Sequence, residues 1–144
     1  LGEAGGAAPE LRGRPLSAGD YRHVGQFRLL RQLHRSNFGA VHLAQVRGRT
    51  APGGGMQQVV LKQLQVPELG RAKDILHEYD VLKQLRHPNI IECHGYFWEF
   101  SSHSLYIVLE YANRGDLHTE LRSRRERDQQ LSDTEVWDVF MQVL

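Results

Sequence analysis

The sequence predicts an α+β domain whose elements run β-β-β-α-β-β-α-α. Three observations predict it. Apolar residues occur in short runs flanked by turn residues, with the alternation of half-buried strands where it is clearest. In longer runs they recur at helical spacing instead. A short loop from His34 to Gly39 joins the first two strand runs as a hairpin.

Phe27 to Leu33 is an apolar-rich run with interspersed charge and forms the first strand. Ala40 to Val46 alternates apolar and polar positions (Val41, His42, Leu43, Ala44) and forms the second. Residues 48–55 are Gly-Arg-Thr-Ala-Pro-Gly-Gly-Gly, a loop signal. A third strand spans Gln58 to Val66, centred on Val59-Val60-Leu61. Residues 68–86 predict a helix from the spacing of Ile75, Leu76, Tyr79, Leu82 and Leu85, and His87-Pro88-Asn89 stops it. Ile90 to Phe100 and Leu105 to Tyr111 are the fourth and fifth strands, on either side of a turn at Ser101 to Ser104. After Asn113-Arg114-Gly115, a polar helix runs from Asp116 to Arg127. A last helix, Leu131 to Leu144, opens with the capping-box spacing of Ser132 and Glu135. Its apolar face is Val136, Trp137, Phe140, Val143 and Leu144.

The start of the chain is rich in Gly, Ala and Pro and buries too little apolar surface to offset its ordering entropy. Residues 1–26 are therefore expected to be a flexible tail and residues 27–144 the domain. The last helix has a clean start but no Gly, Asn or Pro stop, and its apolar face lacks a partner large enough to cover it. The reading frame is therefore expected to continue past Leu144.

Lys plus Arg is 18 and Asp plus Glu is 17, a net charge of +1, which gives no electrostatic case for nucleic acid or an anionic membrane. Cys93 is the single cysteine, so no intrachain disulfide forms and a reducing compartment fits. Cytoplasmic placement is expected, with nuclear or cytoskeletal association as alternatives. No apolar run approaches the ~20 residues of a membrane span, and no basic segment followed by an apolar stretch stands at the start, so a signal peptide is not expected. Eight histidines are scattered without a ligand pattern, and no metal site is expected. The basic run from Arg122 to Arg127 is read as a solvated helix face, with a phosphate or acidic contact as the alternative.

Two charged residues stand on apolar faces. Period two places Val60, Lys62, Leu64 and Val66 on one side of the third strand. Glu78 falls inside the apolar arc of the following helix. A cation on an apolar face needs a partner, so a Lys62–Glu78 ion pair across strand and helix is one solution. The alternative is that Lys62 snorkels to solvent and Glu78 lies at the margin of the arc. A hairpin such as His34 to Gly39 can lay backbone N–H groups over phosphates where glycine permits close approach, and here only Gly39 is present.

Five ordered motifs over residues 27–144 resemble the small lobe of a eukaryotic protein kinase. Leu33-His34-Arg35-Ser36-Asn37-Phe38-Gly39-Ala40-Val41 is similar to its Gly-rich loop, and Val59-Val60-Leu61-Lys62 to its third-strand lysine motif. Glu78 is similar to the helix-C glutamate. Leu85-Arg86-His87-Pro88-Asn89-Ile90-Ile91 resembles the link into the fourth strand, and Leu105 to Ala112 the fifth strand and hinge. Asn113-Arg114-Gly115-Asp116-Leu117 leans toward the NIMA-related serine/threonine kinases.

The resemblance implies a five-stranded antiparallel sheet with helix C, followed by the first helices of the large lobe. It implies ATP and magnesium as cofactors and transfer of the γ-phosphate to protein Ser or Thr. By resemblance, Lys62 contacts the α- and β-phosphates and pairs with Glu78. Leu33, Val41 and Val60 cover the adenine, and Leu109 is the gatekeeper. The Glu110 C=O and Ala112 N–H hydrogen-bond the adenine, and Asp116 lies near the ribose. Leu82 and Cys93 take positions like those of the regulatory spine.

Two departures stand out. His34 and Ser36 replace the first two loop glycines, and a Cβ there hinders backbone approach to phosphate. No His-Arg-Asp or Asp-Phe-Gly sequence occurs, so the catalytic base and magnesium ligands are expected elsewhere in the parent protein. A truncated or inactive kinase-like scaffold that binds partners is the alternative function.

Overall fold

The computed structural model describes residues 20–66 and 69–144, with backbone alone for residues 69–75 and 78. Residues 1–19 of the expected tail, and the side chain of Glu78, lie outside the described residues. The strands are β1 (Phe27–Ser36), β2 (Gly39–Thr50), β3 (Met56–Gln65), β4 (Cys93–Glu99) and β5 (Ser104–Glu110). They form one antiparallel sheet in the order β1-β2-β3-β5-β4. Helix α1 (Leu69–Gln84) joins β3 to β4, and α2 (Leu117–Glu126) and α3 (Asp133–Val143) follow β5. The α+β class and the five-stranded antiparallel sheet are those the sequence predicts.

Strand periodicity sorts the side chains onto two faces. The face away from α1 carries a cluster of Tyr21, Phe27, Ala44, Val46, Val59, Leu61, Phe97, Tyr106 and Val108. Its rings stack in series: Phe27 on Phe97 at 5.6 Å and Phe97 on Tyr106 at 5.1 Å between centroids. On the other face, Leu76, Tyr79 and Leu82 of α1 pack against Cys93, Tyr96, Leu105 and Ile107. The Tyr79 ring meets Tyr96 edge-on at 4.3 Å, and burial pushes its phenol up to about 12.

Four boundaries differ from those expected. Residues expected in the first loop join the ladder: His34 pairs with Val41, Arg35 with Ala40 and Ser36 with Gly39, leaving only Asn37 and Phe38 as the turn. β2 likewise runs on through Thr50 instead of ending before Gly48, because Arg49 is buried and its guanidinium donates to Asp20 Oδ2 at 2.9 Å. Asp20 to Gln26, within the stretch expected to be tail, pack onto the sheet. Tyr21 is 4% exposed, Val24–Gln26 form a 3-10 turn, and Val24 N–H donates to Glu99 Oε2 at 3.4 Å. The apolar weight of Tyr21 is masked by the Gly- and Ala-rich residues before it. The fourth strand begins at Cys93, not Ile90; Ile90 and Ile91 are exposed in the preceding link.

Asp116 caps α2, its Oδ1 accepting from Thr119 N–H at 2.6 Å. Ser132 and Glu135 form the expected capping box on α3. The basic run of α2 is not wholly solvated. Arg124 donates to Glu120 Oε1 at 2.6 Å and, through two nitrogens, to both carboxylate oxygens of Glu135 at 2.9 and 3.2 Å. The apolar face of α3 is exposed, Trp137 at 62% and Val143 at 82%.

This network makes a pH prediction. Arg124 first, then the Ser132 amide and hydroxyl, hold the Glu135 carboxyl down at about 2, against an ordinary 4.5. A depressed carboxylate contributes stability that is present above its unfolded value and lost as pH falls through the folded one. The α2–α3 junction should therefore loosen between pH 4.5 and about 2. Carboxyl NMR titration should find the Glu135 midpoint raised in Arg124→Met. An unchanged midpoint would show that Arg124 does not hold Glu135 in solution.

Candidate functional site

Residues opposite one another in an antiparallel sheet share a face, and on the α1 side the sheet presents three such rows. The first is Arg31, Leu43, Val60, Leu109 and Cys93. The second is His34, Val41, Lys62, Ile107 and Tyr96. The third is Ser36, Gly39, Leu64, Leu105 and Trp98. β4 and β5 give their share of these rows to α1, since Cys93, Tyr96 and Ile107 pack under Tyr79 and Leu82. Leu64 of β3 joins that cluster, and the share of β1 and β2, with Val60 and Lys62 of β3, lies beside it, where a ligand can rest.

Lys62 is half-buried at the centre of this surface. Its strand neighbours on the same face are Val60 and Leu64, and its cross-strand neighbours are Val41 and Ile107. The expected placement of Val60, Lys62 and Leu64 on one side of β3 agrees with these rows, and Val66, just past the end of β3, falls in one cluster with Leu105 and Leu76. Among the described residues no carboxylate lies within ion-pair distance of Lys62. Glu78, the expected partner, lies in α1 one residue before Tyr79, with its side chain outside the described residues. A half-buried ammonium among apolar neighbours calls for an anion, whether a side chain or a ligand.

Leu109 stands directly across the ladder from Val60 on one side and Cys93 on the other. Burial raises the Cys93 thiol, which donates weakly to the Val108 carbonyl at 3.8 Å. Leu82 and Cys93 fall in one apolar cluster. Strand pairing ends at Glu110, whose N–H donates to the Glu92 carbonyl at 2.9 Å and whose Oε2 accepts from Glu92 N–H at 3.0 Å. Ala112 is exposed just beyond the ladder. Asp116 is spent at least in part on capping α2, and that hydrogen bond from Thr119 lowers its carboxyl.

The hairpin tip is tied down. Phe38 N–H donates to Ser36 Oγ at 3.3 Å, and the Phe38 carbonyl accepts from Gln65 N–H at 2.9 Å. Gly39 has φ +156°, and a Cβ there would run into the Gln63 backbone carbonyl, so this glycine serves the approach of β2 to β3. Leu33 lies at a ladder irregularity between Gln32 and His34 and is 39% exposed. Arg35, Asn37 and Ala40 line, with Gln32, His42, Gln63 and Gln65, a polar recess on the opposite face, and Ser36 and Gly39 at the turn border that recess as well. Pairing of Arg35 with Ala40, and of His42 with Leu61 beneath the aromatic cluster, fixes that side.

The structure therefore gathers His34, Ser36, Val41, Val60, Lys62 and Leu109 on one face and turns Arg35 and Ala40 away from it. Sequence reasoning missed Leu43 and Arg31, which stand in the row of Val60 and Leu109. Leu43 could have been found by counting two from Val41. Arg31 could not, because the register shift between Leu29 and Arg31 resets the alternation of β1.

Known proteins carry the same sequence pattern. The chain is 30% identical over 111 residues to Aurora kinase B of Mus musculus, covering 77% of this chain and 31% of that protein. It is 32% identical over 128 residues to the inactive tyrosine-protein kinase 7 of Mus musculus, covering 88% of this chain and 12% of that protein. It is 35% identical over 88 residues to the probable serine/threonine-protein kinase nek3 of Dictyostelium discoideum, covering 59% and 8%. The chain thus spans about a third or less of the length of these relatives. The sequence pattern of the family described as protein tyrosine and serine/threonine kinase matches residues 27–144, the whole span from β1 through α3, and the chain belongs to that family.

Proposed function

We propose that residues 27–144 are the ATP-positioning part of a serine/threonine protein kinase, whose parent protein transfers the γ-phosphate of Mg-ATP to Ser or Thr hydroxyls of protein substrates. One observation carries this reading: Lys62 stands on the same sheet face as Val41, Val60 and Leu109. Such a face offers an apolar bed for a purine and an ammonium one row away for its phosphates. The residues fit ATP. Leu33, Val41 and Val60 cover the adenine, Leu109 limits the depth of the cleft, and the Glu110 C=O and Ala112 N–H address the purine edge. Lys62 meets the α- and β-phosphates and Glu78 steadies it from α1. Asp116 stands beyond the hinge toward the ribose. The bound nucleotide, with magnesium, supplies the phosphoryl group, and the chain's own share is orientation and charge stabilisation.

Residues 27–144 contain no His-Arg-Asp or Asp-Phe-Gly sequence, so the acceptor hydroxyl and magnesium are addressed by other residues of the parent. A NIMA-related affiliation draws on Asn113 to Leu117 and on the similarity to nek3. Cytoplasmic placement draws on the single buried cysteine. Among the described residues no helix is long and apolar enough to cross a membrane.

A second reading, a scaffold that binds partners without catalysis, is favoured by His34 and Ser36 at glycine positions and by the similarity to a relative named inactive. Calorimetric titration with Mg-ATP and transfer of labelled phosphate to a Ser/Thr peptide library decide between them. The intact protein should do both, and residues 1–144 alone should transfer none. Nucleotide binding by the intact protein without transfer selects the scaffold, and steady transfer by residues 1–144 overturns the division of labour.

A further inference from the structure

We propose that the His34 imidazole is the hairpin's phosphate ligand, doing with a side chain what a glycine-rich loop does with backbone amides. The proposal deepens the nucleotide-binding reading and rests on it. His34, Val41 and Lys62 lie opposite one another on three adjacent strands, on the face that carries Val60 and Leu109. Two strand spacings separate the His34 and Lys62 backbones, roughly 10 Å. Both side chains rise from that face on either side of Val41, so they can converge on an anion held above it. An imidazole N–H and an ammonium then supply two donors from two directions.

The hydrogen bonds of the tip weigh against the backbone route. Phe38 N–H is taken by Ser36 Oγ, the hydroxyl of a residue that stands where a glycine is expected. The Phe38 carbonyl is taken by β3 through Gln65 N–H. His34, Arg35 and Ser36 are held in the ladder with β2. The Cβ atoms of His34 and Ser36 stand between that backbone and anything resting on the row, so an approaching phosphate meets side chains first. Ser36 is a positioning residue, since its hydroxyl already serves the turn. The one glycine retained, Gly39, is explained by the Gln63 carbonyl beside it and leaves no glycine assigned to phosphate.

The test is calorimetric titration of the intact protein with ATP, ADP and adenosine. His34→Ala should weaken ATP and ADP about tenfold or more, the scale of one lost hydrogen bond to a charged group, and leave adenosine binding in place. His34→Gln, which keeps an N–H donor, should lose less. The double variant His34→Gly with Ser36→Gly, which restores the glycine spacing, should also bind ATP more weakly than the natural chain. Tighter ATP binding by that double variant overturns the proposal, because it is the result of side chains that only obstruct. So does His34→Ala with an unchanged ratio of ATP to adenosine affinity. A natural chain that binds adenosine as well as ATP defeats this proposal alone; one that binds none of the three defeats the nucleotide-binding reading with it.

Discussion

Lys62→Met should lower ATP affinity by about ten- to a hundredfold while leaving adenosine affinity and the fold intact. The range follows from removing a charge-assisted contact worth roughly 1.5–3 kcal/mol, at tenfold per 1.4 kcal/mol. Phosphoryl transfer by the parent protein should fall further, because the lost contact also orients the transferred group. The stability side is a balance of two effects. Lys62 lies among Val41, Val60, Leu64 and Ile107, and methionine fills the same volume without a charge to desolvate, but Glu78 loses the partner proposed for it. The melting temperature without nucleotide should therefore fall by a few degrees at most. Calorimetry with ATP and adenosine, paired with a thermal melt, separates these effects. An unchanged ATP affinity would remove Lys62 from the site, and a collapse of the melt would make it a structural cation. Glu78→Gln should act in the same direction on ATP affinity.

Most of the architecture was legible because strands and helices impose different periods on the same alphabet. Val59 to Leu64 could be divided into two faces from sequence alone, and the ladder with β2 and β5 agrees. Leu76, Tyr79 and Leu82 likewise marked the face of α1 that packs on the sheet. What escaped depends on pairing across the chain. Tyr21 belongs to the core only because Phe27 and Phe97 are brought beside it by strand pairing, and a composition window sees none of that. The loop reading of His34 to Ser36 failed for the same reason. Their polar side chains suit a turn, but each is opposed by a β2 residue that completes a rung. Arg124 reads as one more arginine in a basic run until α3 places Glu135 in front of it. In the cleft, the alternation of β3 identified Lys62, while the irregularity of β1 between Leu29 and Arg31 left Arg31 beyond sequence reasoning.

Gly39→Ala should destabilise the small sheet by about 2 kcal/mol or more, the scale of overpacking combined with a strained backbone. The added methyl points at the Gln63 carbonyl, a backbone group that cannot swing aside as a long side chain could. Relief requires β2 to separate from β3 at the Gly39–Leu64 and Ala40–Gln63 pairs. That movement pulls on the Gln65 N–H bond to the Phe38 carbonyl and so frees the hairpin tip. Hydrogen exchange should report it: the Gln65 amide loses protection in the variant, while the Val108 amide, on buried β5, keeps more of its own. Adenosine and ATP affinities should fall together, since the damage is to the sheet that carries Val41 and Lys62 and not to a phosphate contact. This parallel loss separates Gly39 from His34, whose replacement spares adenosine. If Gly39→Ala leaves the melting temperature and Gln65 protection unchanged but weakens ATP alone, the glycine serves the phosphates and the packing explanation for its presence fails.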